Sequence, residues 1–203
     1  MVSYHQLERA FFNRSTLVVA RELIGMRLVR VEGGRQMSGF ILETEAYRGE
    51  EDLGCHAKAG YTPRTKVMYG EPGHAYVYFT YGMHWMLNFV TEKEGFPAAV
   101  LIRAVQLEQG LEMVAARRNP QPPHLWTNGP AKICRAFDID GRLNGYDICQ
   151  PKAVLYVESR ADGSPIIELT VTTTPRVGLN NVPEPWRSIP WRFIGSLSEK
   201  PPL

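Results

Sequence analysis

Cysteine is scarce in this chain: three residues among 203 (Cys55, Cys134 and Cys149), an odd number with no CxxC pair. That excludes a disulfide scaffold, a zinc ribbon and a thioredoxin-type motif, and leaves reduced thiols in a cytosolic protein as the expectation. Histidine at metal-binding spacing is missing too, since His5, His56, His74, His84 and His124 form neither HxxxH nor HxH. No apolar run approaches the ~20 residues needed to span a bilayer. Met1-Val2-Ser3-Tyr4-His5 does not begin a basic and then apolar leader. Internal repeats and low-complexity segments are also lacking. Neither charge dominates: 23 Lys and Arg face 21 Asp and Glu, a net of +2. Bulk charge therefore neither demands nor forbids a nucleic-acid partner, and only local clustering of cations can decide.

What is present reads as an ordinary globular chain, 44% hydrophobic and 22% charged, long enough to bury a core. The turn and periodicity signals predict helices over 5–12 and 15–24, with Ser15 as N-cap and Gly25 as terminator. Strands are expected at 26–31 and 37–47 around a Gly33-Gly34 turn, and at 75–80, 84–91 and 98–105. A short helix or ordered loop is expected at 50–58, a helix from about 108 to 118, and another opening at Pro130. Strands near 153–158, 166–173 and 191–194 complete the pattern. The sum is α+β: a single domain over 1–203 with a curved, largely antiparallel β-sheet, flanking short helices and a protruding β-hairpin.

Chemistry concentrates between residues 39 and 82. Alternate strand positions share a face, so Glu43, Glu45 and Tyr47 point the same way. Taken alone, two such carboxylates could be a hydrated surface. A glycosidase acting on sugars is disfavoured, because its carboxyls must flank the scissile bond. A metal site built from Glu43, Glu45 and His56 has weak spacing. Tyr76-Val77-Tyr78-Phe79-Thr80-Tyr81-Gly82 is more informative. Tyr76 suits core packing. Tyr81, at a glycine-containing hairpin tip, has little structural reason to be aromatic, and a wedge into a base stack is one use for such a residue.

These residues together resemble the alkyladenine (3-methyladenine or methylpurine) DNA glycosylase family. The resemblance runs in order through ETEAY (43–47), Glu51-Asp52, His56, Thr62-Pro63-Arg64, YVYFTYGMHWMLN (76–88), VLIRA (100–104) and GPAKIC (129–134). Looser echoes follow in PRVG (175–178) and WRF (191–193). It implies an enzyme that flips alkylated or deaminated purines from double-stranded DNA and hydrolyses the N-glycosidic bond. Glu45 would activate water and Arg103 would orient it. Tyr47 and Tyr78 would sandwich the base, His56 would contact its side, and Asn88 would exclude the amino group of normal guanine. Tyr81 would fill the gap in the stack. Thr62, Arg64 and Lys132 would hold phosphates, and Glu43 would support the site.

No metal or organic cofactor, obligate protein partner or membrane is implied. The expectation is a monomeric, cytoplasmic, nucleoid-associated prokaryotic enzyme that does not cleave the strand. A non-catalytic damaged-DNA-binding module and a hydrolase of free nucleosides are the rivals. Two departures stand out: His84 occupies a position where the family favours an aromatic, and the ending from Ile194 onward lacks the usual small-Pro-aromatic-Val-Ser pattern.

Overall fold

The computed structural model describes residues 3–197. In chain order the strands are β1 (Tyr4–Gln6), β2 (Arg27–Glu32), β3 (Arg35–Arg48), β4 (Ala75–Thr80), β5 (His84–Val90), β6 (Ala98–Gln109), β7 (Leu155–Arg160), β8 (Thr170–Thr174) and β9 (Arg192–Ser196). The α-helices are α1 (Arg9–Phe12), α2 (Thr16–Glu22), α3 (Leu111–Arg118) and α4 (Pro130–Ala136). One antiparallel sheet runs β1-β7-β2-β3-β6-β5-β4, with β9 joining β3 and β8 joining β9.

The 14-residue β3 is the spine of this sheet. Its first half pairs with β2, from Arg35 to Phe40, and its second half pairs with β9 through Glu43, Thr44 and Glu45. β6 covers its other edge from Ser38 to Arg48, with register shifts on either side of Glu43. Such shifts bend a strand and re-aim its side chains, here at the acidic pair. The sheet is thus antiparallel, open and flanked by short helices, as the alternating apolar runs predict.

One face carries the main core, where Phe12, Val19, Leu23, Ile41, Phe89, Ile102, Ile133 and Phe137 are buried under α2 and α4. A smaller apolar cluster of Cys55, Ala57, Met68, Tyr76, Val90 and Ala99 lies under the segment 50–70, with Tyr47 and Tyr78 packed against it. Among the described residues no helix is long and apolar enough to cross a membrane. All three cysteines are free thiols.

Several boundaries differ from the sequence reading, each for a local reason. Residues 4–6 form a strand rather than a helix because they pair with β7, leaving only Arg9–Phe12 helical. Ser15 makes no side-chain cap; the Glu92 carboxylate instead accepts from the Thr16 N–H and hydroxyl, both at 2.9 Å. Residues 50–55 form the ordered loop expected there, as bends and turns, and lead into a 3-10 turn at His56–Ala59 in which the Cys55 sulfur accepts from the Ala57 N–H. The helix expected from 108 begins at Leu111, because β6 continues through Gln109 and Gly110 has φ +73°. A Cβ at Gly110 would meet the Gln36 carbonyl oxygen at 2.7 Å. β8 begins at Thr170 rather than 166 because the Ile166 and Ile167 amides bond to the Gly25 carbonyl.

The hairpin of β4 and β5 ends in a tight turn closed by the Met83 N–H on the Thr80 carbonyl. Its central residues, Tyr81 and Gly82, have φ of +51° and +66°, the signature of a hairpin turn that favours Asn-Gly or Gly-Gly. A tyrosine in this region costs about 1–2 kcal/mol, yet its ring is 83% exposed and gains no packing in return. Strain retained without packing points to a functional use. Tyr81→Gly should therefore raise thermal stability, by up to about 1 kcal/mol after the glycine's own entropy cost. Thermal unfolding of the two proteins checks this, and an unchanged or lower midpoint would refute the strain.

Candidate active site

Glu45 has no exposed surface. A buried carboxylate is tolerated only when paired and hydrogen-bonded, and Glu45 has donors on both oxygens. Its Oε2 accepts from the Tyr47 hydroxyl at 2.7 Å and from Arg103 Nη1 at 3.2 Å, and its Oε1 accepts from the Val177 backbone N–H at 2.7 Å. Glu43 lies two residues back on the same face, and its Oε1 accepts from both Arg103 Nε and Arg192 Nε at 2.7 Å. Glu43 thereby fixes the guanidinium that reaches Glu45. Burial works against the Arg103 charge, but Glu45 and Glu43 outweigh it and hold its pKa above the ordinary value.

Tyr47, Val177 and Arg103 face a cavity of about 290 Å³ that is also lined by His56, Tyr78, Asn88 and Tyr81. The cavity is at the small end for ligand pockets, suited to one flat group. Tyr47 is protonated: burial, then the Glu45 carboxylate, push its phenol well above the usual range. Burial pushes Tyr78 up to about 12. His56 stands edge-on to Tyr78, ring centroids 4.5 Å apart, and its Nδ1 is 3.0 Å from the Tyr76 hydroxyl. Tyr76 is buried against the smaller core, as expected, and also anchors this imidazole. Burial, then Arg64 and Lys58, lower the His56 pKa to about 4, so the ring is neutral at physiological pH. The Asn88 side-chain amide donates to the Tyr76 carbonyl at 3.0 Å, which locks it in the wall.

Of the sequence-predicted residues, Arg103, Tyr47, His56, Tyr78, Asn88 and Tyr81 line this cavity, with Glu45 directly behind it. Arg64 lies beside it, its guanidinium 5.1 Å from the Tyr78 ring centroid. Thr62 and Lys132 do not line it. The Thr62 hydroxyl is engaged with Thr65 in a surface turn, and Lys132 bonds Asn128 on the wall of a separate groove. Among the described residues no three His, Cys, Asp or Glu side chains gather as a metal site. His84 is an exposed residue of β5, paired with Thr80. Of the unusual C-terminal ending, residues 194–196 belong to β9, and 198–203 lie outside the described residues.

The model of the protein family described as methylpurine-DNA glycosylase (MPG) matches residues 10–199. The chain belongs to that family. It is 46% identical over 197 residues to a protein of Desulfitobacterium hafniense, covering 93% of this chain and 94% of the relative. A Methanocella arvoryzae protein is 46% identical over 188 residues (92% and 90% covered), and a Myxococcus xanthus protein 44% over 187 residues (92% and 88%). Each of the three bears the name "Putative 3-methyladenine DNA glycosylase". Family membership makes the chain a DNA glycosylase, a hydrolase acting on DNA, and sets aside the non-catalytic module.

The residue that sequence reasoning undervalued in this glycosylase is Arg176. Its side chain is fully buried with Asp52, in a fork of Nη1 to Oδ2 at 2.5 Å and Nη2 to Oδ1 at 2.8 Å. It also donates to the Ala46 and Trp186 carbonyls, and its guanidinium lies 4.7 Å from the Tyr47 ring centroid. This clamp ties the 175–178 loop to β3 and so delivers the Val177 N–H to Glu45. The space is tight, since a Cβ on Gly54 would meet Arg176 Nη2 at 2.8 Å. The signal was present in PRVG and in Glu51-Asp52, but the partners are separated by 124 positions and nothing local pairs them.

Two outcomes follow from this geometry. Arg176→Met strands a buried Asp52 and should cost roughly 3–5 kcal/mol, measured by denaturant unfolding; a loss under about 1 kcal/mol would show the pair to be dispensable. For His56, the imidazole is neutral in folded and unfolded chains above pH 6.5. Between 6.5 and about 4 the unfolded chain binds a proton that the folded chain refuses, so stability present at neutral pH is lost across that window. The melting advantage of wild type over His56→Phe should shrink across it, and a constant difference would contradict the depressed pKa.

Proposed function

We propose that this DNA glycosylase extrudes a damaged purine from duplex DNA into the cavity and releases it by attack of water at the sugar C1′. The observation that carries the reading is the buried Glu45, with Tyr47, Arg103 and Val177 between it and an aromatic slot. A base that works inside a duplex must first leave the stack, and the exposed, strained Tyr81 on the cavity rim suits the gap left behind.

In this reading the faces of Tyr47 and Tyr78 hold the base and His56 contacts its side. Methylation at N3 of adenine or N7 of guanine makes the base cationic, and aromatic faces attract cations. A neutral His56 adds no opposing charge. Asn88, held rigidly by the Tyr76 carbonyl, would meet the amino group of undamaged guanine. Glu45 takes a proton from water as the oxygen bonds to C1′, and the electrons of the broken glycosidic bond pass to the purine. A cationic purine then departs neutral without needing an acid. Arg103, bonded to Glu45, orients the water. Among the described residues no lysine lines the cavity, which supports release by water with no amine adduct and no strand cleavage. Hypoxanthine and etheno-adenine are further candidate bases for the same slot, and Thr62, Arg64 and Lys132 are offered as phosphate contacts. The enzyme would act as a monomer without a protein partner.

The test is single-turnover base release from a duplex carrying 7-methylguanine. Glu45→Gln should lower the rate by about 10²–10⁴-fold while still binding a duplex with an abasic-site mimic. Tyr81→Ala should weaken that binding. Equal rates for Glu45→Gln and wild type would remove Glu45 from the chemistry. Release from the free nucleoside, insensitive to Tyr81→Ala, would favour a nucleoside hydrolase.

A further inference from the structure

Three guanidinium groups stand around the base slot, and they are not equally neutralised. Arg103 is paired with Glu43 and Glu45, and Arg176 with Asp52, whereas Arg64 has no carboxylate partner among the described residues. Its place is fixed by its turn. Thr65, itself buried, donates its hydroxyl to the Gly60 carbonyl at 2.7 Å and accepts from the Thr62 N–H at 2.9 Å. The Lys66 N–H closes the turn on the Thr62 carbonyl at 2.9 Å, and Pro63 presets the bend. Arg64 is exposed and lays its guanidinium over the Tyr78 ring, 5.1 Å from the centroid. Tyr78 lines the cavity and Arg64 does not, so the ring stands between the free charge and the slot.

That charge reaches the other members of the slot. After burial, Arg64 is the largest influence on the His56 imidazole, which it pushes towards neutrality, and on the phenols of Tyr76 and Tyr78, which it pulls down against burial. Lys58 adds less at His56, with its ammonium on the Leu53 carbonyl. A ring that holds a cation on one face attracts a second cation on the other less strongly, and the two charges repel across it. A methylated, cationic purine therefore loses part of what Tyr78 would give it. A neutral purine meets the opposite effect. When its bond to C1′ breaks, the bonding electrons leave with the base, which is an anion until solvent protonates it, while Glu45 takes the proton of the attacking water. A positive charge behind the ring stabilises that anion.

We propose that Arg64 is a specificity-determining residue, whose charge behind Tyr78 turns the slot towards neutral purine lesions such as hypoxanthine and away from cationic ones such as 7-methylguanine. The proposal rests on the reading of the cavity as a base slot and of Glu45 as the group that activates water.

The test is single-turnover release of both bases from matched duplexes. Each is read as the maximal rate constant divided by the half-saturating enzyme concentration, and the hypoxanthine value is divided by that for 7-methylguanine. Arg64→Gln, which removes the charge, should lower this ratio roughly three- to tenfold. Arg64→Lys, which keeps the charge, should keep the wild-type ratio. Arg64 is exposed, so both variants should fold, which their thermal midpoints check. A loss shared equally by the two lesions, with weaker binding to a duplex carrying an abasic-site mimic, would mark Arg64 as a phosphate contact only and overturn the proposal. An unchanged ratio in Arg64→Gln would overturn it too and leave the glycosylase reading standing. So would release of 7-methylguanine but not hypoxanthine by wild type. Release of neither base by wild type would sink the base-slot reading along with it.

Discussion

The burial of Glu45 is the constraint on which the rest of this structure turns. A carboxyl group with no exposed surface survives only if its lone pairs are met, and the donors come from far apart in the chain. Tyr47 lies on the same strand, Arg103 on β6, and Val177 on a loop after β8. Arg103 is aimed by Glu43, which also takes Arg192 from β9. The Val177 loop is held by Arg176, whose partner Asp52 belongs to the segment over the smaller core. Satisfying one carboxylate thus fixes the relative positions of the sheet centre, β9 and two loops. This ordering supplies the preorganisation that the catalytic role proposed for Glu45 requires.

The two apolar clusters divide the work. The main core under α2 and α4 stabilises the sheet, and its side chains are ordinary aliphatic and phenylalanine packing. The smaller one is made of residues that also form the cavity wall, Cys55, Met68, Tyr76 and Ala99. Packing there serves to set the positions of the Tyr78 and His56 rings. The hairpin tip is the opposite case, where backbone strain and an exposed ring coexist because neither core reaches it.

The sheet was legible in the sequence because its strands alternate cleanly and its turns carry glycine; the run from Phe40 to Tyr47 and the Tyr76 to Asn88 hairpin declare themselves. Of the six cavity-lining residues, Tyr47, Tyr78 and Tyr81 stand out from strand alternation and the hairpin turn and His56 as a lone imidazole between them, whereas Asn88 and Arg103 are marked only by the family resemblance. What was not legible depends on distance. Arg176 reads locally as a surface arginine beside a proline, and only the folded chain brings it to Asp52. The cap of α2 was misassigned for the same reason: Ser15 has the right chemistry in the right place, but Glu92, 76 residues beyond Thr16, reaches the helix first. The late start of the helix expected from about 108 was hidden because Gly110 is held against β3 only in the folded chain. Local propensity yields where tertiary partners compete for the same donors.

The three free cysteines carry a consequence of their own. Burial pushes the thiols of Cys55, Cys134 and Cys149 each up to about 12. At neutral pH all three are therefore held as thiols, and the thiolate is the form that attacks electrophiles. The reagents that methylate purines are themselves electrophiles. A repair protein with an exposed, ionised cysteine would be consumed by the agents whose damage it removes, including at Cys55 in the cavity wall. By keeping its thiols protonated, with Cys55 and Cys134 buried and Cys149 half-buried, this chain stays chemically quiet under the exposure in which its activity is needed.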